Sequence, residues 1–228
     1  MIDEKTMGDI ITRNGMVRGE VRLEPEEYEK IDEQCLAVDP AVYGNVSAML
    51  LIQKVTHRLK PVFGPVEDTT FYKIVGSKEL KGDIVQQADQ IYETWANVGR
   101  PIIAVDSGGL GIGYAPILRR MRVDVRAITL HGGVTSSYNS VSKTEMMSYM
   151  QMLFEQQKVL IGNIPHKIQL VNSLERFRAT FLDDGRLVYS IKTLRSEHGD
   201  WGMAAALGLW ALKKGQMVAV DLSRLHER

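Results

Sequence analysis

The sequence predicts an α/β fold, an open β-sheet packed against helices, and three segments carry this prediction. Two apolar runs, at residues 34–39 and 102–106, are bounded by proline or glycine and end in Asp39 and Asp106. Continuous apolar runs with such boundaries are typical of buried strands. Between them, residues 81–98 carry apolar side chains at the spacing of a helix that packs on a sheet.

Length and composition favour one globular domain with a full hydrophobic core. The chain has 228 residues, of which 44% are hydrophobic and 25% are charged. Its 28 basic side chains balance its 28 acidic ones, so the net charge does not attract nucleic acid. Any contact with a polyanion must therefore come from a local basic patch.

The residue pattern predicts a protein of the cytoplasm. No apolar run approaches the roughly 18 residues of a membrane span, and the acidic N-terminus, with Asp3, Glu4 and Asp9, does not resemble a signal peptide. The single cysteine, Cys35, lies in a predicted core strand. This excludes a disulfide framework and suits a reducing compartment.

The first part of the chain is expected to form an extension, three strands and a helix. Residues 1–33 are polar and predict an N-terminal extension with an acidic helix over residues 25–33, so the domain proper would cover residues 34–228. A basic loop is expected over residues 57–65. The predicted strands and helix are residues 34–39, 47–55, 69–75 and 81–98.

The second part of the chain is expected to contain more helix than strand. A strand at residues 102–106, a helix at 114–121 and a strand at 123–129 form a βαβ unit, whose two strands should be parallel. A polar loop over residues 131–142 follows. The remaining elements are a methionine-rich helix, a short helix, a hairpin and an apolar last helix, at residues 143–157, 164–176, 179–191 and 198–214.

Three aspartates on three separate elements suggest a metal site. Asp39 and Asp106 end two strands, at the sheet edge where open α/β folds bind ligands. Asp200 lies at the start of the last helix. Considered alone, it is explained as a residue that caps the N-terminus of this helix. Together the three can converge on about two Mg²⁺ or Mn²⁺ ions, which prefer carboxylate oxygens. Two such ions can activate water and stabilise a leaving oxygen at phosphorus, so phosphodiester hydrolysis is the predicted reaction.

The sequence lacks the motifs of several other common enzyme and nucleotide-binding classes. The glycine-rich turn at residues 108–113 does not match G-x-G-x-x-G, and no ribose-binding acid follows at the right distance. No G-x-x-x-x-G-K-[ST] sequence occurs, so no nucleotide cofactor is expected. No G-x-S-x-G sequence occurs either, and Cys35 lies in a core strand, so no covalent nucleophile is predicted.

In order and context, these motifs resemble the nuclease domain of the large terminase subunit of tailed bacteriophages. The resemblance covers residues 34–214 and rests on Asp39, Asp106, the glycine-rich turn, Lys143 at a helix start, the 181–191 hairpin and His198-Gly199-Asp200. It implies a ribonuclease H-like fold, a mixed sheet of five or more strands with helices on both faces. It also implies metal-dependent cutting of concatemeric double-stranded viral DNA in the host cytoplasm.

The resemblance assigns four site residues and reveals two departures. Asp39, Asp106 and Asp200 match the metal-binding acids of the family. His198 matches its histidine, which could polarise a water or contact phosphate, although a hydrogen bond at the helix start explains it equally well. The two departures are Asn45 and Gly199, which occupy positions where the family often has acids. A second metal ion is therefore expected to be held weakly.

The resemblance also implies partners. These are double-stranded DNA, a terminase ATPase domain, the small terminase subunit and the portal. DNA contacts are expected from Arg119 and Arg120, which follow a helix that starts beside Asp106, or from Arg58 and Lys60 in the basic loop. Solvated surface charge explains the same side chains without a ligand.

Two other functions stay open at this point. Another nuclease of the same fold, such as a junction resolvase or a transposase, would use the same acids on a different DNA structure. A domain that has lost activity through Asn45 and Gly199 would serve as a docking module of the packaging motor. Low sequence specificity is expected of a nuclease here, because the sequence contains no base-reading module.

Overall fold

A computed structural model of the chain describes residues 28–40, 47–59, 67–133, 136, 139–182, 187–191 and 200–214. Within these residues, a mixed seven-stranded sheet separates two layers of helices, and a two-stranded hairpin lies outside the sheet. No helix among them has the length and apolar character needed to cross a membrane. The predicted α/β fold, with helices on both faces of a mixed sheet, is confirmed.

The central strand of the main sheet is β1. The strands of the described residues are β1 (Tyr28–Asp39), β2 (Ser47–Leu59), β3 (Glu67–Leu80), β4 (Ile102–Asp106), β5 (Val125–His131), β6 (Ser140–Ser142), β7 (Val159–Ile161), β8 (Phe177–Phe181) and β9 (Leu187–Ile191). The sheet order is β6-β5-β4-β1-β2-β3-β7, and β2 alone of these seven runs antiparallel to the rest. Strands β8 and β9 form the separate hairpin.

Helices cover both faces of the sheet. They are α1 (Ile84–Asn97), α2 (Tyr114–Arg120), α3 (Lys143–Glu155), α4 (Lys167–Glu175) and α5 (Asp200–Lys214). Side chains alternate along β1, so Leu36 and Val38 pack with α1 and α2. Cys35 and Ala37 point to the other face and pack with α3, α4 and α5. Cys35 is fully buried, as predicted, and burial raises the pKa of its thiol to about 12.

Helix α5 is enclosed between the sheet and the other helices of its layer. All of residues 201–212 are buried, and the helix packs on β1, β2 and β4. A Cβ added to Gly208 would lie 2.8 Å from the Cβ of Ala37, so the missing side chain allows the helix to approach the sheet closely. This packing places Asp200, the first residue of α5, near the strand ends. The predicted burial of this helix, which consists mostly of small and apolar residues, is confirmed.

The sheet extends further toward the N-terminus than the sequence predicted. Strand β1 begins at Tyr28, so the acidic helix predicted over residues 25–33 is wrong from residue 28 onward. Polar residues join this strand because partners on neighbouring strands satisfy them, and Lys73 of β3 binds Glu29. Strands β2 and β3 also run beyond their predicted ends, and β2 includes the first residues of the predicted basic loop.

Two three-residue strands were not predicted. Strand β6 lies in the predicted polar loop, and β7 lies between two predicted helices. Three residues are too few to show the alternation of apolar and polar side chains that marks a strand. Both segments lie at the edges of the sheet and become strands by pairing with a strand that is distant in sequence. The other elements predicted from residue 81 onward are present, with ends that differ by a few residues.

Candidate metal and active site

Asp39 and Asp106 lie side by side at the carboxyl edge of the sheet. Strands β1 and β4 are parallel neighbours, and Val38 is level with Val105, so the next residue of each strand is an aspartate. Because side chains alternate along a strand, both carboxylates are on the same face as Ala37, which is the face that α5 covers. The structure therefore brings these two predicted residues together.

Asp200 belongs to the same electrostatic neighbourhood. It is the first residue of α5, which packs on both β1 and β4. Burial raises the pKa of Asp39 well above its usual range, and the negative charges of Asp200 and Asp106 raise it further. The third predicted aspartate is thus close enough for its charge to act on Asp39.

Lys143 is a cation at this site to which the sequence assigned no role. It is the first residue of α3, directly after β6, and its charge acts to lower the pKa of both Asp39 and Asp106. Burial outweighs it, so the pKa of Asp106 is still raised. A lysine in the first turn of a helix opposes the helix dipole. That unfavourable placement is the signal that the sequence offered.

The turn after β4 positions Asp106 through the backbone. The N–H of Gly108 donates to Oδ1 of Asp106 at 2.7 Å and stabilises the ionised carboxylate. Gly111 packs against the carbonyl oxygen of Asp106, and a Cβ at this position would lie 1.5 Å from that oxygen. The glycine is therefore required by lack of space.

The first turn of α5 is anchored from two sides. The ring of Trp201 stacks on the ring of His166, with centroids 4.6 Å apart. His166 in turn forms a hydrogen bond between its Nδ1 and the hydroxyl of Ser77 in β3, at 3.2 Å. The N–H of Gly202 donates to Oγ of Ser173 at 2.8 Å. These contacts fix the turn that carries the third aspartate, and no pattern in the sequence pointed to His166.

The acids fit a hard divalent cation without forming a closed group of three ligands. In the described ranges, no three His, Cys, Asp or Glu side chains are arranged to hold one ion together. Mg²⁺ is usually bound by one or two carboxylates, with waters and substrate phosphates as further ligands. Asp39 and Asp106 supply such a pair, and a cation beside them would offset the burial that raises the pKa of both and the negative charges that raise the pKa of Asp39 further.

Asp39→Asn is expected to stabilise the protein at pH 7 when divalent ions are absent. The pKa of Asp39 is raised in the folded state, so the stability it contributes is present at low pH and is lost as the pH rises through that pKa. Asparagine does not ionise and avoids this loss. We expect a melting temperature roughly 2–4 °C higher than that of the parent, the shift that about 1 kcal/mol produces in a chain of this size.

Thermal melts in EDTA over a pH series measure this effect. The difference in melting temperature between Asp39→Asn and the parent should shrink as the pH falls to 3.8, the ordinary pKa of aspartate. Asp89→Asn, on the exposed surface of α1, is the matched control and should not change the melting temperature. A lower melting temperature for Asp39→Asn at pH 7 would contradict the proposed repulsion.

Arg58, predicted to contact DNA, lies far from the aspartates. It is level with Tyr28, at the opposite end of the 12-residue strand β1 from Asp39. A strand of this length spans about 36 Å. The guanidinium of Arg58 also makes two hydrogen bonds to the carboxylate of Asp68, at 2.6 and 2.7 Å. Arg58 is therefore out of reach of a phosphate bound at Asp39.

Arg119 and Arg120 also lie at the other end of the sheet. They end α2, and Arg119 donates to the carbonyl of Val125, the first residue of β5, at 3.4 Å. Asp106 is level with Ile128, further along the same strand. Helix α2 starts beside the aspartates and carries its last residues away from them.

Four other residues that the sequence singled out lie outside the described residues: Asn45, Lys60, His198 and Gly199. Asn45 belongs to the segment between β1 and β2, and His198 and Gly199 directly precede α5 in sequence. Their roles stay predictions.

Known structures share this fold at low sequence identity. No protein-family model matches the chain, and no curated protein matches it by sequence. The large terminase nuclease of thermophilic phage G20c with bound magnesium gives a TM-score of 0.57 at 16% identity, over 90% of this chain and 96% of that one. The nuclease domain of the P22 large terminase gives 0.52 at 12% identity, over 91% and 95%.

A longer terminase matches over part of its length. The large terminase of a second thermophilic bacteriophage gives a TM-score of 0.58 at 9% identity, over 93% of this chain and 46% of that one, so the chain spans about half its length. At such identities the likeness establishes the fold. The chain has the ribonuclease H-like fold of large terminase nuclease domains, which the sequence resemblance implied.

Proposed function

We propose that this chain is a metal-dependent endonuclease that cuts double-stranded DNA during packaging of a phage genome. The observation that carries the proposal is the placement of Asp39 and Asp106 at adjacent strand ends, on the face where α5 begins with Asp200. Carboxylates so placed suit divalent cations that bind a nucleic-acid phosphate. Solved terminase nuclease structures of this fold with bound magnesium and bound cobalt support divalent metal use.

Asp39 and Asp106 are the proposed metal ligands, and Asp200 completes the site. Mg²⁺ or Mn²⁺, as two ions in the full proposal, would supply activation of water and stabilisation of the leaving oxygen. The carboxylates orient the cations and do not act as nucleophiles. Lys143 favours the ionised state of both strand acids, which is the state that binds a cation. His198, two residues before Asp200, is proposed to polarise a water or to contact the phosphate.

The proposed partners follow from the packaging role. They are double-stranded DNA, which would be cut with low sequence specificity, and the rest of a packaging motor: an ATPase domain, a small terminase subunit and a portal. The match to the longer terminase supports a motor context, because that protein extends well beyond the part that this chain covers. The reaction would take place in the host cytoplasm.

Nicking of supercoiled plasmid tests the proposed activity. The full chain is incubated with Mn²⁺, Mg²⁺ or EDTA, and conversion to nicked and linear DNA is followed on gels. We expect conversion with both metals and none with EDTA. Cutting that persists in EDTA would contradict metal dependence. The complete absence of cutting with any divalent metal would contradict the nuclease function and favour a docking module.

Substrate choice separates the packaging nuclease from other nucleases of the same fold. Plain duplex and a four-way junction of matched sequence are offered to the chain in parallel. A terminase-type enzyme is expected to cut the plain duplex at least as fast as the junction. A strong preference for the junction would overturn the packaging role and leave the metal site unchanged.

A further inference from the structure

Four arginines lie together at the end of the sheet opposite the aspartates. Arg100 follows α1, and Arg119, Arg120 and Arg122 are at or just beyond the end of α2. The two connections lead into β4 and β5, which are parallel neighbours, so they are adjacent at the amino edge of the sheet. All four side chains are exposed. We call this surface the arginine edge.

The arginine edge has an excess of positive charge. Within the part of the chain that the structure describes, none of its four arginines forms an ion pair. Arg58 differs, because Asp68 neutralises it. Two exposed acids lie in the same part of the chain, Glu93 in the second half of α1 and Asp124 directly before β5, and the arginines outnumber them. The edge therefore attracts anions.

Two of the four arginines occupy a backbone conformation that favours glycine. Arg100 and Arg122 have φ angles of 59° and 61°, in the left-handed region that glycine favours after a helix. A side chain in this conformation costs on the order of 1 kcal/mol. Gln157, after α3, has a φ angle of 56°, so the fold accepts a neutral side chain in the same conformation. The helix dipole favours a cation at each of these helix ends by about 0.3–1 kcal/mol, no more than the left-handed conformation costs, and Arg100 gains further stability from its contact with Trp95. Folding therefore accounts for part of the charge at Arg100 and Arg122, and the backbone conformation does not require arginine at either position.

The chemistry of the arginine edge suits a phosphate backbone. The guanidinium of Arg100 lies over the ring of Trp95, 5.5 Å from its centroid, and Tyr92 packs beside Trp95. Stacking on an aromatic ring holds a guanidinium plane in place, and guanidinium groups bind phosphate oxygens in a bidentate geometry. Arginine rather than lysine at all four positions favours phosphate recognition.

We infer that the arginine edge binds the phosphate backbone of duplex DNA at a distance from the aspartates. The seven residues of α2 span about 10 Å, so a phosphate at Asp39 and Asp106 does not contact this edge. The edge would contribute affinity and hold the duplex, without taking part in cleavage. The inference goes beyond the proposed nuclease function, because it requires neither metal nor cutting.

Binding of a fluorescently labelled duplex, measured in EDTA over a salt series, tests the inference. The first variant is Arg119→Gln combined with Arg120→Gln. Each phosphate contact contributes about 0.9 to the slope of log affinity against log salt, so the double variant should lower that slope by about two. At roughly 0.1 M salt each lost contact weakens binding by about eightfold. Asp124→Asn, which removes an acid beside the edge, should tighten binding.

Arg122→Gly separates DNA binding from folding. Glycine relieves the left-handed strain, so this variant should melt no lower than the parent and yet bind duplex several-fold more weakly. Gln157→Gly makes the same backbone change without removing a charge, and it should keep full DNA affinity. An unchanged affinity and salt slope in the arginine variants, or an equal loss in Gln157→Gly, would overturn the inference. A chain that binds through this edge but cuts no DNA would contradict the proposed nuclease function alone.

Discussion

Asp106→Asn is expected to lower the metal-dependent nicking rate by at least about 100-fold, the effect of losing roughly 3 kcal/mol of transition-state stabilisation. The reason is geometric. Asp106 ends the strand beside β1, its carboxylate shares the face of Asp39, and the Gly108 N–H fixes one of its oxygens. An amide in its place offers a neutral oxygen and holds a hard cation weakly.

The fold should survive this substitution. Burial disfavours the charge on Asp106, so a neutral side chain is accommodated at least as well as the carboxylate when metal is absent. Initial rates on supercoiled plasmid at saturating Mn²⁺ measure the loss of activity, and circular dichroism and thermal melts in EDTA check the fold. Asp89→Asn, on the exposed face of α1, is the matched control and should nick at the parent rate. Unchanged nicking by Asp106→Asn would remove the assigned site.

Gly111→Ala is expected to destabilise the protein by about 3 kcal/mol or more. The added Cβ would lie 1.5 Å from the carbonyl oxygen of Asp106, a backbone atom that has no rotamer through which to move away. The turn after β4 must therefore shift, and with it the carboxylate that it positions. Substitutions that force such overlap are among the most destabilising in folded proteins.

Thermal melts of Gly111→Ala and of a control variant measure this loss of stability. The melting temperature should fall by roughly 6–12 °C, since each kcal/mol shifts it by about 2–4 °C in a chain of this size. Gly132→Ala is the matched control, because a Cβ at Gly132 would meet no atom within 4 Å. A Gly111→Ala protein that melts together with Gly132→Ala would show that the turn does not pack as described.

The strands that carry the acids could be predicted because their sequence signals are local. Residues 102–106 form a continuous apolar run between proline and glycine, and β4 has these same bounds. The methionine-rich helix predicted over residues 143–157 is present as α3, where Met146, Met147 and Met150 are fully buried and Met152 is exposed. In each case the spacing of apolar side chains along the sequence is enough to predict the element and its burial.

The features that were missed depend on contacts between distant residues. The polar residues from 28 to 33 join β1 because strands β2 and β3 supply partners, and nothing in that segment indicates them. Lys143 reaches the acids because β6 pairs with β5, a pairing that three residues cannot reveal. Arg119 and Arg120 were associated with Asp106 because α2 starts beside that aspartate, but they are its last residues, and the direction of the helix carries them to the opposite edge of the sheet.

Anomalous diffraction from crystals soaked in Mn²⁺ locates the metal without relying on activity, and it therefore tests whether Asp39 and Asp106 form the metal site. We expect a manganese peak in contact with the carboxylates of both Asp39 and Asp106, which disappears or weakens strongly in crystals of Asp106→Asn. Manganese bound only elsewhere, with both of these carboxylates free of metal at a saturating concentration, would show that the metal site is wrongly assigned.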